Sequence, residues 1–229
     1  MEYARSNILR MKPEKCFVTG VAGFIGSNLA IEHPLLPNDT CVRNDVTLNQ
    51  ATRFYIISGS NMSGKSTLLR AIGLNAVLAF AGAPVRAHTL RLSQMAVCAS
   101  LSVVDSVLNG KSKFLAEVER LRQTIRSAAN QKPVLFLIDE IFGGTNSRDR
   151  RVAAEAVVRT LVNAGAVGVL STHDMSLTEI ADSAGLGGAN VHMGARDGCD
   201  PMDFDYRLKP GITRETNALA IARMAGVAV

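Results

Sequence analysis

The sequence predicts an α/β domain with a mainly parallel central sheet flanked by helices, and three observations carry that prediction. Short apolar runs alternate with stretches of helical periodicity, the order expected of strands joined by crossover helices. The best of these runs, Arg53–Ser58, Val134–Ile138 and Ala166–Leu170, are each short and apolar. Each is followed at once by polar or glycine-rich residues, so function is expected at the C-terminal ends of the strands. At 229 residues, 47% hydrophobic and 20% charged, the chain has the material for one principal core.

In chain order, residues 1–32 are set apart as an N-terminal extension and residues 33–229 as the principal domain. The extension carries the apolar Cys16-Phe17-Val18 run and then Gly20-Val-Ala-Gly23-Phe-Ile-Gly26, which resembles the opening of an extended short-chain dehydrogenase. A dinucleotide site also needs a full crossover helix and a second strand ending in an acid about 20 residues on. Pro34 cuts that helix short, neither Asp39 nor Asp45 ends an apolar strand, and Tyr206 and Lys209 are one residue too close for the catalytic pair of those enzymes. A strand and turn that imitates the motif, or a fusion remnant, are the competing readings.

The strand Arg53–Ser58 leads into Gly59-Ser60-Asn61-Met62-Ser63-Gly64-Lys65-Ser66, and a helical run follows from Thr67 to Leu78. This is a Walker A loop in the setting it requires. Glycines let the loop wrap so that backbone N–H groups point at phosphate, and the helix N-terminus adds a favourable dipole. Gly59 to Thr67 are thus the expected nucleotide-binding residues, with Lys65 on the β- and γ-phosphates and the Ser66 hydroxyl on Mg²⁺.

Further along, Ser112–Asn130 reads as an amphipathic helix whose Phe114, Val118, Leu121 and Ile125 share a core face. Val134–Ile138 runs into Asp139-Glu140, a Walker B arrangement in which Asp139 is expected to hold Mg²⁺ and Glu140 to activate water. A helix is expected from about Asp149 to Asn163. The strand Ala166–Leu170 leads to Ser171-Thr172-His173, placing His173 as a sensor of the γ-phosphate. His33, His88 and His192 have no comparable setting. A strand pair is expected over Gly187–Leu208 around the turn-rich Gly194–Asp200, and a last helix from about Thr216 to Met224, ending near Gly226.

With these residues in place, the chain from about His33 to Gly226 resembles the ATPase domain of the MutS family, which is associated with DNA mismatch repair. The resemblance rests on His33-Pro34-Leu35, Asn44, the Ser60 to Thr67 loop and Gly110-Lys-Ser112-Lys-Phe114 with Glu117. It continues through Asp139-Glu140, Gly143-Gly-Thr145-Asn-Ser147, Thr172-His173, Asn190-Val-His192, and a Tyr206 to Gly211 strand leading to Asn217. The transporter-type Leu-Ser-Gly-Gly-Gln signature is absent.

The resemblance implies an ABC-type P-loop NTPase that takes ATP and Mg²⁺ and hydrolyses ATP. It also implies a head-to-tail pair, a homodimer or a pair with a MutS-like partner, with each ATP between the Walker loop of one subunit and the signature segment of the other. Ser112 is the implied signature residue, and it can cap its own helix as well. DNA would be contacted through other domains or chains. Two residues depart from the family pattern: Cys41 stands where an aromatic side chain tends to meet adenine, and Gly144 replaces an arginine of the loop. The length leaves no room for mismatch-reading, connector, lever and clamp domains, so a fragment, a shortened paralogue and a module working with partner chains all stay open.

A non-enzymatic module whose dimerisation follows ATP occupancy is the alternative function, and a dehydrogenase fragment a third. Glu140 favours turnover, because a pure switch has no need of a water-activating carboxylate. The net charge of +5 suits a nucleic-acid partner, although the basic residues are spread along the chain. No run approaches the roughly 20 apolar residues of a membrane span, and the N-terminus has no basic stretch leading into an apolar core. The expectation is a cytoplasmic protein with free thiols at Cys16, Cys41, Cys98 and Cys199.

Overall fold

The computed structural model describes residues 16–19, 27–36, 41–101, 113–130, 133–143, 145–196, 202–213, 223 and 226. The first elements are strands β1 (Cys16–Thr19), β2 (Ser27–Ile31), β3 (Asn44–Leu48) and β4 (Phe54–Ser58), helix α1 (Lys65–Phe80), and strands β5 (Leu90–Ser93) and β6 (Ala96–Ser100). Helix α2 (Lys113–Ala129), strand β7 (Val134–Asp139), helix α3 (Ser147–Asn163) and strand β8 (Val167–Thr172) follow. A short 3₁₀ helix (Met175–Ile180) and strands β9 (Gly188–His192) and β10 (Lys209–Pro210) complete the order.

The main sheet has the order β10-β9-β4-β8-β7-β6. It is parallel except at β10, which runs antiparallel to β9. The chain leaves β4 for β6, returns through β7 and β8, and then passes to the far side of β4 to form β9. The connections leaving β4 and its sheet neighbour β8 therefore run in opposite directions, the place where an open parallel sheet leaves a crevice at its C-terminal strand ends.

Alternation along the strands divides the interior in two. Leu135 and Leu137 of β7 join Ile57, Val167 and Val169 on the face covered by α1, whose Leu68, Leu69, Ile72 and Ala76 pack inward. Val134, Phe136 and Ile138 join Phe54, Ile56 and Leu170 on the opposite face, covered by Leu121 of α2 and Val158 and Leu161 of α3. Strands covered on both faces lose their polar alternation, which is why β4, β7 and β8 are almost wholly apolar until their C-terminal ends, where Ser58, Asp139 and Ser171-Thr172 stand.

Local signals explain the helix boundaries. The Asn146 side chain caps α3 by accepting from the Asp149 amide, and Asp149 places an acid in the first turn. α1 begins at Lys65 rather than Thr67, because Gly64 supplies the left-handed N-cap that turns the loop into the helix.

Some expectations need correction. Phe114 is 43% exposed instead of joining the core, although its ring lies 5.9 Å from that of Phe142. The antiparallel partner of β9 is Lys209–Pro210, just beyond the expected Gly187–Leu208 pair, within which only an Ala195–Phe204 bridge is described. Ser27–Ile31 is a strand antiparallel to β3, where a dinucleotide-binding unit needs a helix. Gly20, Gly23 and Gly26, Ser112, Gly144 and nearly all of the last predicted helix lie outside the described residues.

Candidate functional site

The residues 59–64 form a loop between the C-terminal end of β4 and the first turn of α1. Its conformation is set by glycine at both ends. Gly59 has φ 151° and lies so close to the Met193 carbonyl that a Cβ would meet that oxygen at 2.1 Å. Gly64 has φ 99°, and a Cβ there would sit 3.0 Å from the Tyr206 ring. Between them Met62 is left-handed at φ 71°.

Lys65 is 5% exposed, and its Nζ donates to the carbonyls of Gly59 and Ser60, each at 2.8 Å. Burial holds its pKa below the ordinary lysine value, against the opposing pull of the Glu140 and Asp139 carboxylates. The Ser60 and Ser63 hydroxyls are buried without a hydrogen-bond partner. A buried cation and unpaired hydroxyls on one glycine-hinged loop are the donor set that phosphate oxygens satisfy.

β7 ends in Asp139, which lies opposite Ser171 of β8 and accepts a short hydrogen bond from its hydroxyl. The Ser171 carbonyl in turn accepts from the Glu140 amide at 3.1 Å. Both acids are thus tied to one residue of the neighbouring strand. Glu140 and Phe142 are left-handed at φ 57° and 53°. Such conformations cost bulky residues about 1–3 kcal/mol each and persist where the surroundings over-determine them. The Phe142 amide is held by the buried Glu117 carboxylate of α2 at 2.6 Å, and its carbonyl by Arg150 of α3 at 3.1 Å. Glu140 Oε2 lies 2.5 Å from His173 Nδ1, with the two side chains 34% and 54% exposed.

A cavity of about 770 Å³ opens beside the loop, and its lining includes Asn61, Met62, Gly64, Lys65, Ser66, Thr67, Asp139 and Glu140. Gly59, Ser60 and Ser63 form the base of the same loop, and His173 joins the group through Glu140. Among the described residues no three His, Cys, Asp or Glu side chains converge as a metal site, so a hard cation would be shared between Ser66, Asp139, water and the ligand's own oxygens.

The cavity also contains residues that sequence reasoning passed over. Tyr206, 45% exposed and left-handed at φ 54°, reaches it because Asn44 bonds the Tyr206 carbonyl at 2.9 Å and the Leu208 amide at 2.7 Å. His33 lines it too, on a segment held by the buried Arg86, which bonds Glu32 at 2.9 Å and the His33 carbonyl at 3.1 Å. Burial, then the charges of Arg70 and Arg86, hold the His33 pKa below the ordinary histidine value, and its Nδ1 accepts from the Leu35 amide at 3.2 Å. Cys41, which the family pattern had already set at the adenine position, lies in the same lining, its thiol 3.7 Å from the His33 carbonyl.

A glycine-hinged loop with a buried lysine, opening a helix and facing two acids at the end of a nearby parallel strand, defines a P-loop NTPase-like domain. The family model for MutS domain V matches residues 55–229, and the chain belongs to the MutS family. It is 32% identical over 201 residues to the DNA mismatch repair protein MutS of Lactobacillus delbrueckii, covering 85% of this chain and 23% of that protein. It is 34% identical over 210 residues to DNA mismatch repair protein MutS 2 of Halobacterium salinarum, covering 88% and 24% respectively. With DNA mismatch repair protein MSH3 of Phaeosphaeria nodorum the identity is 32% over 203 residues, 85% of this chain and 18% of that one. The chain thus spans about a quarter or less of these relatives' length. The dehydrogenase likeness of the Gly20 to Gly26 stretch finds no support in these matches.

Proposed function

We propose that this domain binds Mg-ATP beside the 59–64 loop and hydrolyses it, as a motor or switch coupled to DNA processing through other domains or partner chains. The observation that supports this reading best is the meeting of Lys65, Asp139 and Glu140 on one cavity, delivered by elements far apart in sequence. The relatives' names, all of DNA mismatch repair proteins, support the DNA context.

In this reading Lys65 exchanges its two loop carbonyls for the β- and γ-phosphate oxygens, and the loop amides and the first turn of α1 bind the rest of the phosphate chain. The Ser66 hydroxyl and Asp139 would hold Mg²⁺. The bound metal supplies charge neutralisation at the phosphates. Glu140 orients the attacking water and takes its proton, and His173, in contact with Glu140, steadies that carboxylate and senses the γ-phosphate. Tyr206 and His33 offer rings to the base, in a lining where Cys41 offers none. Ser112 completes the partner's site in a head-to-tail dimer.

The test is paired calorimetry and phosphate release on two variants. Lys65→Ala is expected to lose tight Mg-ATP binding, because it removes the cation aimed at the phosphates. Glu140→Gln is expected to bind Mg-ATP about as well as the parent while turning over about 10²- to 10⁴-fold more slowly. Unchanged affinity in the first variant would sink the site, and a parental rate in the second would remove Glu140 from the chemistry.

A further inference from the structure

We propose that Arg150 is a positioning residue that locks the turn carrying Glu140 to the segment carrying His173. The inference rests on the ATP-hydrolysing reading of the site for its effect on rate, and on geometry alone for the tie itself.

One guanidinium reaches four acceptors. Its Nε donates to the Phe142 carbonyl at 3.1 Å, and one terminal nitrogen to the carbonyls of Thr145 at 2.9 Å and Gly143 at 3.4 Å. The other terminal nitrogen pairs with the Asp174 carboxylate at 3.1 Å, where both side chains are largely buried. Three bonds therefore hold the turn that follows Glu140, and the fourth crosses to the residue after His173. Asp174 is itself anchored: its carboxylate accepts from the Ser176 amide at 3.0 Å and the Ser176 hydroxyl at 2.7 Å, and its amide donates to Thr172 Oγ1 at 2.9 Å. Moving Asp174 would move the cap of the 3₁₀ helix with it.

This tie spans the same two segments as the Glu140–His173 contact. That contact joins two partly exposed side chains, whereas the link through Arg150 is sheltered. The turn contains two left-handed residues other than glycine, a shape that external bonds must maintain. Helix stability does not account for Arg150, because a cation in the first turn of α3 opposes the helix dipole. The planar fork does account for it, since an ammonium has no comparable geometry for three carbonyls and a carboxylate at once.

The experiment compares the full chain with Arg150→Met, Arg150→Lys and Asp174→Asn by amide hydrogen exchange, mant-ATP affinity and steady-state turnover. In Arg150→Met, exchange is expected to rise about tenfold or more in residues 140–145 and in 173–177 together, while β4 and β7 keep their protection. Nucleotide affinity should stay within about twofold and kcat fall about ten- to a hundredfold, the cost of a misplaced catalytic group. Arg150→Lys should be intermediate on both measures. Parental exchange in either segment of a folded Arg150→Met, or a parental kcat, overturns the proposal. If the parent itself does not hydrolyse ATP, the ATPase reading fails, and the exchange data still decide the tie. Should Arg150→Met exchange faster everywhere, Asp174→Asn decides: loosening in 140–145 supports the tie, and parental exchange there overturns it.

Discussion

Ser171 is fully buried at the C-terminal end of β8 and serves both acids of the neighbouring strand, its hydroxyl donating to Asp139 and its carbonyl accepting from Glu140. A carboxylate used for a metal has oxygens to orient, and an outer hydrogen bond that fixes them commonly carries about 10- to 100-fold in metal affinity. Ser171→Ala removes that bond with almost no change in volume. Its expected effect is a several-fold higher Mg²⁺ midpoint for nucleotide-dependent turnover, with mant-ATP affinity in the absence of metal unchanged. Mn²⁺ binding followed by electron paramagnetic resonance in the presence of ATP reads the same shift without turnover. Coincident metal titrations for parent and variant would show that Asp139 needs no such support.

At the scale of the elements, the main sheet carries one row of alternating size. Phe136 of β7 pairs with Gly168 of β8, Gly168 with Phe54 of β4, and Phe54 with Gly188 of β9. Both phenylalanines are fully buried on the face covered by α2 and α3. A Cβ on Gly168 would lie 2.4 Å from the Phe136 ring and 2.1 Å from its carbonyl, and one on Gly188 would lie 2.5 Å from Phe54 Cζ. The rings occupy the space that the glycines leave. Gly168→Ala therefore overpacks the row and is expected to cost about 1–3 kcal/mol, several degrees of Tm in a chain of this size. Phe136→Ala in the same chain removes the ring contact but leaves the carbonyl contact, so the two losses should be less than additive, a coupling that a double-mutant cycle detects. Strictly additive losses would mean that the close contact is relieved by movement of the strands instead.

At the scale of the whole molecule, the proposed dimer depends on ATP remaining intact between two subunits. Glu140→Gln should hold ATP without consuming it, so it is expected to accumulate as a dimer with Mg-ATP and to return to monomer with Mg-ADP. Adding Ser112→Arg should abolish the ATP-dependent species, because the larger cationic side chain occupies the place proposed for the partner's γ-phosphate. Sedimentation velocity distinguishes these outcomes. A Glu140→Gln chain that stays monomeric with bound ATP would remove the composite site and leave the single-subunit ATP site standing.

The sequence by itself determined the α/β class, the positions of β4, β7 and β8 to within one or two residues, and the glycine-bounded loop between β4 and the helix, whose start it placed two residues late. These depend on local causes: continuous apolarity along a strand covered on both faces, and glycine where φ turns positive. Phe114 shows where such reasoning stops, because helical spacing identifies a face but not how far the covering layer extends, and the ring ends half-exposed against Phe142. Only the tertiary structure decided that β8 lies between β4 and β7, that Asn44 brings Tyr206 to the cavity, and that Glu117 and Arg150 hold the turn after Glu140. Each of those contacts joins side chains or strands separated along the chain, and their partners are chosen by packing and by the satisfaction of buried polar groups. A buried Glu117 or a cation in the first turn of α3 looks unfavourable when its own helix is considered alone. Its partner across the fold is what makes that position stable.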